Sequence, residues 1–256
     1  MTAAIALDHV RFMPRELREA IAQDLMLLAR IADREVDGEL VAFLRGLDVG
    51  FWFALKLDGS VANEGMAVMR TALETLSSPP TGAELDGLAA EFARIFLTHG
   101  YSAAPNESVW RDDNGLERQE PMFEVRDWYR HYGLAAPNWR SRADDHLVHE
   151  LEFLSLLLRH VDQPASLGDA LRFLRAHPLV WVPAFGRRVI GRCDESFYAG
   201  SLLLLMAYLE ALDQALAEAT GLNPPLGVLK KDQPAARETG PDCGSPRYVP
   251  GVAPSW

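Results

Sequence analysis

At 256 residues with 48% hydrophobic side chains, the chain can bury a substantial core, and 36 acidic against 25 basic residues give a formal charge of -11. That sign excludes a protein whose main task is gripping phosphate backbones, so no nucleic-acid partner is expected. Two cysteines, Cys193 and Cys243, make neither a disulfide framework nor a structural zinc site, which fits a reducing cytoplasm.

The first thirty residues carry Asp8, Arg11, Arg15, Glu16, Arg18, Glu19 and Asp24, so they lack the apolar run of a secretory signal and nothing there marks the chain for export. Apolar residues then recur at three- and four-residue spacing through 15–36, 39–57, 62–76, 83–100, 120–134, 145–161, 166–179, 183–193 and 195–221. Caps, glycines and prolines punctuate the breaks at 77–84, 100–108, 133–141 and 220–227. The pattern predicts an all-α fold: one helical-bundle-like domain of about nine or ten helices over residues 1–222, with no sheet and no solenoid repeat. The longest apolar run, FYAGSLLLLMAYLEALDQAL, is broken by Glu210 and Asp213 and reads as a core helix, so no integral membrane segment is expected. Residues 223–256 are rich in Pro and Gly without helical period, and a disordered tail is expected there.

One stretch invites a chemical reading: SRADDHLVHELEFLSLLLRH, residues 141–160. On a helix, Leu147, Leu151, Leu154 and Leu158 form an apolar stripe, and Glu152, Ser155 and Arg159 lie opposite. His146 and Glu150, one turn apart, project from the edge of the stripe and need partners. A His-Glu-x-x-His zinc helix fails at Phe153, and no Glu-x-x-His pair for a di-iron bundle occurs anywhere in the chain. Two readings stay open: a looser metal site of His146, His149 and Glu150 or Asp145 that lacks a fourth ligand, or a core His146 bonded to Glu150 with Asp144 or Ser141 as helix cap. Phosphate loops, dinucleotide fingerprints and nucleophile turns are missing, and Cys193 reads as a packed thiol, so the residues call for no cofactor.

Four blocks in order carry a family resemblance: LAAEFARIFLTHG leading into APNESVW, then VRDWYRHYGL, then Asp145-His146 with Glu150-Leu151, and finally HPLVWVPAFGRRV followed by FYAGSLLLL. Together they resemble the TorD/DmsD family of redox-enzyme maturation chaperones, which implies a TorD-like helical fold and binding without catalysis. The implied partner is the twin-arginine leader and catalytic subunit of a molybdenum-cofactor oxidoreductase, held in the cytoplasm during folding and cofactor loading before export.

Such a leader joins an arginine pair to an apolar stretch, so its site needs carboxylates beside an apolar groove. Asp145, Glu150 and Glu107 are the candidates for the charge. Phe92, Ile95, Phe96 and Trp110 are those for the groove, with His146 and Ser108 beside them. Trp128 reads as core, whereas Trp110 sits in a loop of Pro, Asn, Asp and Gly where exposure is expected. Arg142 departs from the family, which carries an acid near that position. Alternatives are a metal-dependent helical enzyme using His146, His149 and Glu150, and a nitrate-reductase-type assembly chaperone for a client that is not exported. Guanine-nucleotide binding, which the analogy also raises, finds no standard phosphate loop. Monomer and domain-swapped dimer are equally compatible with the sequence.

Overall fold

The computed structural model describes residues 13–137, 140–159 and 165–227. Among them are the helices α1 (Arg15–Asp33), α2 (Gly38–Arg45), α3 (Ser60–Thr75), α4 (Gly82–Phe92), α5 (Glu107–Arg111), α6 (Glu120–His131), α7 (Leu147–Arg159), α8 (Ala165–Ala176), α9 (Pro178–Ile190) and α10 (Ser196–Thr220). No strand is present among the described residues, and an isolated antiparallel bridge joins Asn106 to His146. The all-α expectation therefore holds.

The predicted 39–57 helix is short of its pattern. Asp37 caps the start of α2 by accepting from Leu40 N at 2.8 Å, but the helix stops at Arg45, and Asp48 then caps a 3-10 turn, Val49–Phe51. Arg45 fixes this corner by donating to the carbonyls of Leu73, Leu76 and Ser77 at the end of α3. Farther along, Pro178 opens α9 where the periodicity ran on from α8, and Pro183 is accommodated inside α9.

Helix α10 is the axis of the core. Leu202, Leu203, Leu204, Leu205, Leu209 and Leu212 are all buried, as expected of a helix apolar on every side. It is long and apolar enough to cross a membrane, yet 67% of its most apolar window is buried within the protein. Close approach of α3 depends on two glycines. A Cβ on Gly65 would stand 2.9 Å from Leu203 Cβ, and one on Gly200 would stand 2.9 Å from Met69 N. Helix α7 lies along α1, where Ser155 Oγ donates to Ala22 O at 2.9 Å. Tyr208 reaches from α10 to donate to Asp24 Oδ2 at 3.0 Å, and the Ala54 N–H donates to the same oxygen at 2.8 Å.

After α10, residues 223–227 are tied to α8. Arg175 donates to Asn223 Oδ1 at 2.6 Å and to Pro224 O at 2.7 Å, while Gly227 N donates to Arg175 O at 2.8 Å. The remainder of the predicted tail, from 228, lies outside the described residues.

Candidate functional site

The Asn106–His146 bridge places the starts of α5 and α7 side by side. Glu107 N donates to Asp145 O at 3.0 Å and Leu147 N to Pro105 O at 2.9 Å. Each residue of the Asp-His pair then caps one helix. Asp145 Oδ2 accepts from Ser108 N at 2.7 Å, serving α5, and His146 Nδ1 accepts from Val148 N at 3.2 Å, serving α7. An accepting Nδ1 puts the imidazole proton on Nε2. Burial holds His146 well below the usual imidazole range, with the Arg142 charge adding to the effect, so the ring is neutral at pH 7.

Beneath the caps lies a closed layer of acids. Glu107, Ser108, Asp145 and Glu150 are all 0% exposed. Glu107 is held by Arg111 at 2.7 Å and by His177 Nδ1 at 2.9 Å, and Glu150 accepts from Trp181 Nε1 at 3.0 Å. Ser108 Oγ accepts from Gln119 N at 3.1 Å. Burial, with Glu107 nearby, pushes the Glu150 carboxyl well above the ordinary range, and burial raises Asp145 against its bonds from Ser108. Asp144, one alternative for the cap, instead pairs with Arg126 at 2.8 Å.

Beside this layer opens a cleft of about 520 Å³. Its apolar wall is Phe92, Phe96 and Leu97, and its polar lining includes Asp33, Asn106, Arg142, His146 and His149. Irregular backbone surrounds it. The wall follows a π-helical turn, Ala93–Leu97, and the rim residues His99 and Arg118 hold positive φ of 52° and 60°. Both features concentrate at functional sites because they cost free energy that packing elsewhere must offset. A shallower apolar groove of about 160 Å³, formed in part by Leu134, Phe153 and Leu156, shares Pro137 and His149 with the cleft.

The predicted site residues thus divide. Phe92, Phe96 and His146 line the cleft, whereas Glu107, Ser108, Asp145 and Glu150 form the closed layer beside it. Ile95 is core at 0% exposure. The exposed Trp110 expected from its loop is corrected: the residue lies in α5, buried against Phe185 and under Arg188, and its Nε1 donates to Ala104 O at 2.8 Å. The His146–Glu150 bond does not form, since each side chain has taken another partner.

His146, His149 and Glu150 do not converge on a metal. Glu150 faces Trp181, the two imidazole rings stand 6.3 Å apart, and no metal-type cluster of three such side chains occurs among the described residues. Arg142 finds its explanation in α1, where it pairs with Asp33 at 2.6 Å across the cleft margin. Asn106 carried no sequence signal beyond its place in a loop. His149 enters the sequence reading only as a candidate metal ligand, not as part of a peptide site.

Comparison with known proteins gives one consistent relationship. Residues 62–187 match the family model described as nitrate reductase delta subunit. The Chaperone protein TorD of Photobacterium profundum is 31% identical over 185 residues, covering 69% of this chain and 80% of that protein. Those of Aliivibrio fischeri and Vibrio cholerae El Tor are 30% and 26% identical, covering 48% and 79% of this chain and 61% and 94% of their own length.

Proposed function

The chain belongs to the TorD family of chaperones, not to a family of enzymes, and from that premise we propose that it captures the twin-arginine leader of a molybdenum-cofactor oxidoreductase subunit in the cytoplasm. It holds that subunit through folding and cofactor loading, before export, and makes no covalent bond. The observation that carries this reading is the cleft, which joins an aromatic wall of Phe92 and Phe96 to a polar floor and continues into an apolar groove. A leader has the matching order, a cationic pair and then an apolar stretch.

In this reading Phe92, Phe96 and His146 touch the peptide. Asp145, Glu107, Ser108 and Glu150 are positioning residues that fix the two helix starts forming the floor, and Ile95 and Trp110 support the wall from behind. Capture needs no residue to change its bonding in the acid layer. Calorimetric titration of the full chain with a synthetic peptide, two adjacent arginines followed by an apolar stretch, is expected to give one-to-one binding. A folded protein with no heat of binding for any such leader from its source organism would sink the proposal.

The match to the nitrate reductase delta subunit favours a second reading, an assembly chaperone for a client without an exported leader. Equal affinity for a client with and without its leader would favour that reading over the first.

A further inference from the structure

We propose that the cleft floor contains a guanidinium subsite in which Asn106 Oδ1 and His149 Nε2 accept hydrogen bonds from a client arginine while Asp33 supplies the counter-charge. This rests on the leader-binding reading and assigns the residues that read the arginine. Asn106 and His149 are each 6% exposed, both line the cleft, and neither of these two atoms has a hydrogen-bond partner among the described residues. Asp145 Oδ1 and Glu150 Oε1 are orphaned too, but off the cleft; buried polar atoms are almost always satisfied, so the two on residues that line open space point to a ligand that satisfies them.

Both atoms call for a donor. His149 Nδ1 faces Glu152 Oε2 at 3.4 Å, and a carboxylate only accepts, so the tautomer that fits this contact carries its proton on Nδ1 and presents the Nε2 lone pair. Asn106 Oδ1 is an acceptor by nature. Two separated acceptors beside a carboxylate match the planar fork of a guanidinium, with its five N–H groups, better than the single point of an ammonium. The cleft already holds one such group. Arg142 donates to Asp33 Oδ1 at 2.6 Å. Their side chains are 29% and 40% exposed, so a client arginine can exchange for Arg142 at an ion pair that water already reaches. Of the other charged groups on the cleft, Arg118 donates to Arg140 O at 2.8 Å and Glu117 lies 3.4 Å from His99, which leaves Asp33 as the counter-charge.

The test uses the full chain with two probes. A peptide of two adjacent arginines and an apolar stretch is expected to bind about tenfold more tightly than its lysine counterpart, as charge-assisted forked bonding requires. Asn106→Leu and His149→Phe are each expected to collapse that ratio toward one, weakening the arginine peptide more than the lysine peptide, and His149→Gln, which restores an acceptor, to recover part of it. An unchanged ratio in cooperatively folded Asn106→Leu and His149→Phe overturns the subsite and leaves leader binding standing. If neither peptide binds, leader binding fails instead, and ethylguanidinium decides the subsite: shifts of the His149 ring resonances with ethylguanidinium but not ethylammonium support it, and equal or absent shifts overturn it.

Discussion

The acid layer and the cleft floor are built on the same two helix starts, yet only one of them borders open space. His149 and Glu150 are neighbours on α7, each with one unpartnered atom among the described residues, but Glu150 is fully buried with Oε2 on Trp181 while His149 lines the cleft. The same division separates Glu107, tied to Arg111 and His177, from Asn106 before it. Both regions hold orphaned atoms, but Asp145 Oδ1 and Glu150 Oε1 belong to residues with no exposure and off the cleft, whereas Asn106 Oδ1 and His149 Nε2 belong to residues that line it. The residues most suggestive in the sequence, the acids, hold the helix starts in place, and it is the quieter polar pair that lines the cleft.

That contrast breaks most visibly at Asp145. Replacing it with Ala removes the α5 cap and a buried acceptor, and urea unfolding is expected to show a loss of about 2–3 kcal/mol. Asp145→Asn, whose amide oxygen still accepts from Ser108, loses less. A wild-type midpoint for Asp145→Ala would remove the capping account.

Next in size is the pH response of Glu150, whose native carboxyl keeps its proton above the ordinary range. The unfolded chain releases that proton near pH 4.3, so rising pH from there favours unfolding until the native group also ionises. Glu150→Gln keeps an acceptor for Trp181 and is expected to gain stability over wild type as pH rises from 4 toward 8, read from denaturant midpoints. A constant difference across that range would contradict the protonated state. His146 has the reverse sign: its lowered value removes stability as pH falls below about 6.5, and only on that flank does it overlap the Glu150 effect.

On the cleft side the expected stability changes are small. Asn106→Leu removes an orphaned acceptor and is expected to stay within about 1 kcal/mol of wild type, or to rise. A loss as large as that of Asp145→Ala would make Asn106 part of the fixed layer. Smallest is Arg142→Ala, which gives up a half-exposed ion pair worth about 0–1 kcal/mol. Freed from its internal competitor, Asp33 is then expected to bind the twin-arginine peptide up to about fivefold more tightly, and weaker binding would contradict exchange.

Much of the fold was legible because helices write their burial into the spacing of apolar residues, as the Leu147, Leu151, Leu154 and Leu158 stripe of α7 does. The site was legible only in part. Asp145-His146 stood out as a pair, but its role depends on the bridge to Asn106, and a contact between distant segments leaves no periodic trace. Trp110 misled because five residues in a Pro- and Asp-rich stretch still form a helix once Asp145 accepts from its second residue. Arg142 was noticed as out of pattern, but its partner on α1 is supplied by folding alone.

Among the described residues the Asn106–His146 pair is the one β-bridge of an otherwise helical protein. Its two residues both border the cleft, and the backbone bonds beside them also begin α5 and α7. Prying the socket wider would unravel the first turns of two helices together. The socket is therefore stiff on this side, and under the proposed leader-binding role it would select a peptide by fit at a fixed aperture, with adjustment left to the rim.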